Sequence, residues 1–175
     1  AYNAAGQKTA LTYPGGSGGQ LGEVVSFGYD AIGQLTSVGG AGVQYLSGAT
    51  YNAQGQPLEL VNDSGANGLR RQYGYESNTQ RLSVLRAGKT SPYTGLQELT
   101  YSYDNTGNVT SIVDGRNSSQ RQCFQYDWLD RLTGAFTGDA ACSGYSAVGV
   151  GAYSHSYAYD AIGNLTSYVG SSYTY

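Results

Sequence analysis

A short phrase, Y-D-x-x-G-x-L-T, recurs seven times in the 175 residues of this chain. Clear copies begin at Tyr29, Tyr103 and Tyr159, and the copy at Tyr126 has Asp130 in place of the glycine. Looser copies begin at Tyr2, Tyr51 and Tyr75. A phrase repeated every 20 to 50 residues or so indicates stacked structural units rather than one core with one active site.

Each copy of the phrase predicts a β-hairpin. The carboxylate of Asp30 is placed to accept a hydrogen bond from the backbone N–H two residues later. Gly33 has the position where such a turn needs a left-handed residue without a Cβ atom. Alternating aromatic and β-branched residues on both sides, as in Phe27–Tyr29 and Leu35–Val38, predict strands with one face in a packed layer.

The residues that carry this prediction of a structural turn recur in four copies. They are Tyr29, Asp30, Gly33 and Leu35; Tyr103, Asp104 and Gly107; Tyr126 and Asp127; and Tyr159, Asp160, Gly163 and Leu165. Asn3 and Asn52 can replace the aspartate in two other copies. Glu76 does so poorly, and the copy from Tyr75 has one extra residue, so we expect that copy to be irregular.

Composition agrees with an all-β repeat array of antiparallel hairpins. Glycine (27 residues) and tyrosine (18) are abundant, methionine is absent, and glycine interrupts the windows that could form helices. An apolar content of 39% predicts packing by tyrosine ladders and a thin aliphatic layer. The predicted layer comprises Leu35, Leu58, Leu82, Val109, Leu132 and Leu165.

The chain is expected to form one continuous array over residues 1–175, without a second domain. The glycine-rich stretches Gly15–Gly19 and Gly39–Gly42, and the insert Gly138–Gly151, are predicted loop tips. No apolar run of 18 residues predicts a membrane span. Because the chain opens and stops within the repeat pattern, we expect it to be a fragment of a longer chain or a unit with neighbours.

The Tyr-Asp phrase, with its downstream glycine, leucine and threonine, resembles the YD repeat of the RHS family. YDAIGQLTS from Tyr29 and YDAIGNLTS from Tyr159 carry the resemblance, which covers all seven copies. That family includes bacterial RHS proteins, shell components of insecticidal toxin complexes, and teneurins. The resemblance implies a β-sheet that spirals into a hollow shell or solenoid, often around a toxic C-terminal domain. It also implies a secreted or cell-surface bacterial protein whose partner is the remainder of its own chain.

The sequence departs from that family in one respect. Many family shells cleave themselves at an Asp-Pro-containing motif, whereas the only prolines are Pro14, Pro57 and Pro92, none of which follows an aspartate. Seven repeats are also too few to close a shell. The chain would therefore supply only part of a wall.

Two cysteines are candidates for a disulfide. Cys123 and Cys142 are nineteen residues apart and bracket one hairpin, without the CxxC spacing of a zinc site. In an exported protein they could form a disulfide, and the alternative is a pair of buried free thiols. The segment from Arg121 to Asp127 also looks like secreted bacterial members of the RHS family.

Other residues offer little chemistry. His155 is the only histidine and lies in phase with Tyr153 and Tyr157, which favours a residue on a strand face over a base or metal ligand. The repeated aspartates could bind calcium, but turn capping explains each of them without a metal. A net charge of −3 argues against a nucleic-acid partner. We therefore expect no enzyme activity and no cofactor.

Three functions remain open for such an array. The first is a wall segment of a shell that encapsulates a toxin or effector domain. The second is an extracellular filament or wall-associated fibre, in which copies of the chain stack end to end. The third is an adhesion module that binds surface glycans through exposed tyrosines.

Overall fold

The structure is a computed structural model that describes residues 1–15, 21–63, 68–116, 120–147 and 151–174. Within these ranges the chain has strands and turns and no helix, which confirms the predicted all-β class. The strands are β1 Ala10–Pro14, β2 Leu21–Tyr29, β3 Leu35–Gly40, β4 Val43–Leu46, β5 Gly48–Tyr51, β6 Pro57–Asn62, β7 Leu69–Tyr75, β8 Leu82–Gly88, β9 Gln97–Tyr103, β10 Val109–Asp114, β11 Arg121–Tyr126, β12 Leu132–Gly138, β13 Ser154–Tyr159, β14 Leu165–Tyr168 and β15 Ser171–Ser172.

The chain divides into two compact units. The first contains Ala1–Tyr75 and Leu85–Leu96, and the second contains Glu76–Val84 and Gln97–Tyr175. In the first unit, β1 to β4 pair in chain order as one antiparallel sheet, and β5 to β7 also pair antiparallel in order. In the second unit, β9 to β15 pair antiparallel in chain order. Every strand pair therefore joins neighbours in sequence, while a single array over 1–175 stays a prediction.

A β-bulge follows the turn in the hairpins, which the alternating pattern of the sequence did not reveal. Tyr29 pairs with Leu35, but Gly28 pairs with Ser37, which leaves Thr36 as an extra residue on the returning strand. The same step occurs beside Tyr51, Tyr103, Tyr126 and Tyr159. An inserted residue shifts the side-chain alternation by one.

Leu58 was predicted to lie in the aliphatic layer, and the structure shows that it does not. The residue that pairs with Tyr51 is Pro57, so Leu58 lies at the bulge position that threonine has in other copies. Its residue surface is 39% exposed, whereas the other five predicted layer residues are half-buried. Sequence position relative to the tyrosine, and not residue type, decides which side chain enters the layer.

The buried part of the molecule is small. Apart from glycines, the buried residues that the structure describes are Val25, Leu46, Ala87, Ser111, Cys123, Ala135, Phe136 and Thr137. Cys123 and Thr137 have no exposed surface at all. Stability must therefore come in large part from backbone pairing and from half-buried tyrosines.

The predicted glycine loop at Gly39–Gly42 is a tight hairpin. Ala41 and Gly42, both with positive φ, connect β3 to β4, while Gly39 and Gly40 belong to β3. Of the two other predicted loop tips, residues 16–19 and 148–150 lie outside the described residues. In the described part of the chain there is no apolar helix of membrane-spanning length.

Candidate functional site

The side chain after each motif tyrosine closes the hairpin turn. Oδ1 of Asp30 accepts hydrogen bonds from the N–H groups of Ile32 at 3.0 Å and Gln34 at 2.8 Å. Asp127 and Asp160 accept the equivalent two bonds at 2.8–3.0 Å. Each aspartate thus satisfies turn donors that no strand partner reaches.

Asparagine forms the same turn without a charge. Oδ1 of Asn3 accepts bonds from the N–H groups two and four residues later, at 3.0 and 2.9 Å, and Asn52 does the same. The copy at Glu76 differs, as expected. There the N–H of Glu76 bonds to the carbonyl five residues later, at Arg81, whereas the N–H of Asp30 bonds to the carbonyl four residues later.

The motif glycines adopt left-handed backbone conformations. φ is +88° at Gly33, +111° at Gly107 and +95° at Gly163. Asp130, which replaces the glycine in its copy, has φ of +60°. Aspartate is among the few residues that enter this region with moderate strain, which explains why the turn survives the substitution.

The motif tyrosines connect each repeat to the one before it. Their hydroxyl groups donate to the backbone carbonyl at the leucine position of the preceding copy. The bonds run from Tyr29 to Lys8 (2.8 Å), Tyr51 to Leu35 (2.6 Å), Tyr75 to Pro57 (3.0 Å), Tyr103 to Leu82 (2.7 Å), Tyr126 to Val109 (3.0 Å) and Tyr159 to Leu132 (3.0 Å). We call this series the tyrosine ladder. A neutral hydrogen bond of this kind contributes about 1 kcal/mol.

Side chains just before the leucine position reach the following repeat. Nη1 of Arg131 donates to the carbonyl of Asp160 at 3.1 Å, and its guanidinium lies 4.7 Å from the ring centroid of Tyr159. Nε of Arg131 also pairs with Asp127 at 2.7 Å within its own turn. Arg81 makes the equivalent contacts with the copy that begins at Tyr103. Neighbouring copies are thus joined in both directions along the chain.

Hydrogen bonds favour the charged form of the turn aspartates. Desolvation alone would raise the pKa of Asp104, but bonds from Thr106, Asn108 and Gly107 outweigh it and lower the pKa from 3.8 to about 2. The pKa values of Asp127 and Asp160 are also lowered, because bonds from their own turns outweigh desolvation. Burial raises the pKa of the ladder tyrosines Tyr103 and Tyr126.

Cys123 and Cys142 are joined in the structure by a disulfide bond, with their Cα atoms 5.6 Å apart. Cys142 lies in the connection between β12 and β13, where Asp139 accepts bonds from the N–H groups of Ala141 and Ser143 at 3.1 Å each. A Cβ atom at Gly138 would approach the sulfur of Cys123 to 2.6 Å, so the glycine leaves room for the bridge. Oxidation of this pair in the native protein stays a prediction.

The described residues contain no group of three or more His, Cys, Asp or Glu side chains that could hold a metal ion. The imidazole of His155 lies between aromatic rings, 5.0 Å from Tyr153 and 5.6 Å from Tyr168 between centroids. The main feature of the motif side chains is that they form contacts between repeats. Packing by tyrosines was predicted, but the hydrogen bonds from their hydroxyls to carbonyls of the preceding copy were not, since spacing along the chain does not reveal which carbonyl a hydroxyl meets.

Large apolar side chains project from several turns. Ile32 is 80% exposed, Trp128 is 86% exposed and Ile162 is 85% exposed. The hydrogen bonds that close these turns run from backbone N–H groups to the aspartate side chains and do not use these apolar side chains.

No protein-family model matches the chain. Toxin subunit YenC2 of Yersinia entomophaga is 28% identical over 169 residues, covering 78% of this chain and 17% of that protein. Toxin subunit YenC1 of the same organism is 31% identical over 133 residues, covering 66% of this chain and 13% of that protein. The chain therefore spans less than a fifth of the length of either relative.

A solved structure resembles this chain in fold. The crystal structure of TcdB2-TccC3 superimposes with a TM-score of 0.72 and 26% sequence identity, over 93% of this chain and 9% of that one. Both comparisons thus match this chain to a small part of a much longer polypeptide.

Proposed function

This chain is a YD-repeat array of the RHS family, as its motif indicated, and from that premise we propose that it forms part of the wall of a β-shell. The shell encloses a toxin or effector domain that belongs to the same longer polypeptide. The role of the array is structural, because the wall keeps the enclosed domain apart from its surroundings until release.

The tyrosine ladder is the observation that carries this proposal. Each hydroxyl bond ties one copy to the copy before it, so the repeats within each unit are linked instead of being independent hairpins. Repeat proteins gain much of their stability from interfaces between neighbouring repeats, because each repeat alone is only weakly stable. Repeats linked in this way within each unit suit a barrier.

The same geometry disfavours the glycan-binding alternative. A lectin of this type needs exposed tyrosine rings, but the six tyrosines of the ladder, which recur with the motif, are half-buried and their hydroxyls bond to backbone carbonyls. The exposed tyrosines, such as Tyr2, Tyr13 and Tyr145, lie outside this ladder and form no regular platform along the repeats. The proposal also assigns no catalysis to this chain. It follows that the toxic activity resides in the enclosed domain.

We propose that the protein is secreted, as its relation to toxin subunits suggests. A disulfide between Cys123 and Cys142 suits that setting, because disulfides persist in oxidising compartments and are rare in the cytosol.

Protease protection of the intact protein tests the proposal. Limited proteolysis under native conditions, followed by mass spectrometry, should leave the enclosed domain uncut while the wall is closed. The double variant Tyr103→Phe with Tyr126→Phe removes two ladder bonds and should make that domain cleavable at lower denaturant concentration. Equal cleavage of the domain in the wild-type protein and in an isolated, unshielded form would contradict encapsulation.

A matched control uses Tyr101 on β9. No hydrogen bond from its hydroxyl is found among the described residues, so Tyr101→Phe removes the same oxygen without removing a ladder bond. This variant should retain the wild-type cleavage pattern.

A further inference from the structure

A cleft of about 300 Å³ lies on one face of the sheet formed by β1 to β4 in the first unit. Val25, Phe27 and Val38 form its apolar floor, and Tyr13, Glu23 and Tyr45 complete its lining. Tyr13 and Tyr45 are 49% and 43% exposed, so both rings remain accessible from solvent. The tyrosine ladder uses none of these six residues.

The carboxylate of Glu23 is held across a strand. Glu23 is on β2 and Tyr45 is on β4, yet the tyrosine hydroxyl donates to Oε1 of Glu23 at 2.5 Å. The carboxylate crosses β3 at Gly40, where a Cβ atom would lie 2.6 Å from Oε1. A glycine at this point is therefore required for the arrangement, which fixes the charge inside the cleft.

This charge has no counterion in the described part of the chain. Ion pairs in the described residues include Arg70 with Glu59 and Arg131 with Asp127, but none that is found there involves Glu23. A half-buried carboxylate gains free energy when a cation approaches it. The faces of aromatic rings also attract cations within about 6 Å.

We propose that this cleft binds an alkylammonium group, with the cation beside Glu23 and between the rings of Tyr13 and Tyr45. The alkyl part rests on Val25, Phe27 and Val38. A volume of about 300 Å³ is at the lower end of the range for small-molecule sites, which suits a ligand of this size. A sugar fits less well, because the lining offers one carboxylate and two hydroxyls, of which one is already bonded to that carboxylate.

The ammonium group has two sources, a free amine and a lysine side chain of a partner. The first arm of the test therefore compares choline with its uncharged isostere, in which a tert-butyl group replaces trimethylammonium. The second arm compares a lysine-containing peptide with its acetyl-lysine counterpart. Binding to the intact protein is measured by isothermal titration calorimetry and by chemical-shift changes of the tyrosine ring protons.

We expect the charged member of at least one pair to bind and its neutral counterpart to bind more weakly by about tenfold or more, which corresponds to about 1.4 kcal/mol. Glu23→Gln keeps the shape of the side chain and should abolish that preference. Tyr45→Leu keeps an apolar wall without a ring and should weaken the charged probe several-fold.

Glu59→Gln is the matched control. It removes the same charge from β6, outside the cleft, and should leave binding unchanged. Circular dichroism establishes that each variant is folded. Equal binding of charged and neutral probes, unchanged binding in Glu23→Gln, or no binding of any probe to the folded wild-type protein would each overturn the proposal.

Discussion

At the scale of single residues, the tyrosine hydroxyl distinguishes this motif from an ordinary hairpin turn. The aspartate and the glycine act within one copy, because they close its turn and set its backbone conformation. The hydroxyl acts between copies, since it bonds to a carbonyl of the preceding repeat. A phenylalanine would fill the same space and lose that connection.

Tyr103→Phe should lower the free energy of unfolding by about 1 kcal/mol, the usual contribution of a neutral hydrogen bond. For a chain of this size that corresponds to a fall in Tm of about 2–4 °C. Thermal denaturation followed by circular dichroism measures it. Tyr101→Phe should change Tm far less, and an equal effect of both variants would show that the hydroxyl bond to Leu82 contributes nothing.

Gly163→Ala should destabilise the protein by about 1–2 kcal/mol, because φ of +95° is unfavourable for any residue with a Cβ atom. Nothing lies within 4 Å of the added carbon, so the effect isolates backbone strain. Gly144→Ala is the control, since its surroundings are equally open and its φ is not positive. If urea denaturation gives the same midpoint for the two variants, left-handed strain does not explain the motif glycine.

Asp104→Asn should reduce the sensitivity of the fold to acid. The folded state lowers the pKa of Asp104 from 3.8 to about 2, so its stabilising effect is complete above 3.8 and is lost as the pH falls through about 2. Asn3 and Asn52 show that a neutral amide forms the same turn. Urea midpoints at several pH values between about 4 and 2 should fall less steeply for the variant than for the wild type. If the midpoints of the variant and the wild type fell equally with pH, Asp104 would not be a source of the acid sensitivity.

At the scale of the hairpin, sequence and structure agree on the turn and disagree beyond it. The roles of Asp30 and Gly33 follow from local chemistry, so the phrase alone predicts them. The irregular copy at Glu76 also follows, since its extra residue is visible in the sequence. The bulge at Thr36 does not, because it depends on which residues of two strands pair.

Contacts that span several strands could not be predicted at all. The exposure of Leu58 follows from the pairing of Tyr51 with Pro57 and contradicts its apolar character. The meeting of Glu23 with Tyr45 across β3 requires the register of three strands at once. The hydrophobic pattern predicts where the strands lie, but the register between strands decides which side chains meet.

At the same scale, the disulfide joins β11 to the connection between β12 and β13. We predict that the oxidised chain has a mass two hydrogens lower than the reduced chain, measured by mass spectrometry of the denatured protein. For a loop with a sequence separation of 19, the bond should stabilise the fold by about 3 kcal/mol on the chain-entropy argument. Reduction should therefore lower Tm, and complete reaction with alkylating reagents before reduction would establish two free thiols instead.

At the scale of the whole molecule, the array is best understood as one part of a longer polypeptide. The chain covers 17% and 13% of two toxin subunits, and the buried side chains that the structure describes are few. Repeats of this kind depend on their neighbours for stability. The wall of a shell supplies such neighbours throughout, and it leaves few strand edges free to pair with other molecules.

Cryo-electron microscopy of the intact protein that carries this chain tests the central claim most directly. We predict a closed hollow particle in which these hairpins form part of the wall, with additional density inside. An extended fibre in which the repeats continue from one molecule to the next would contradict encapsulation and make the array itself the functional assembly.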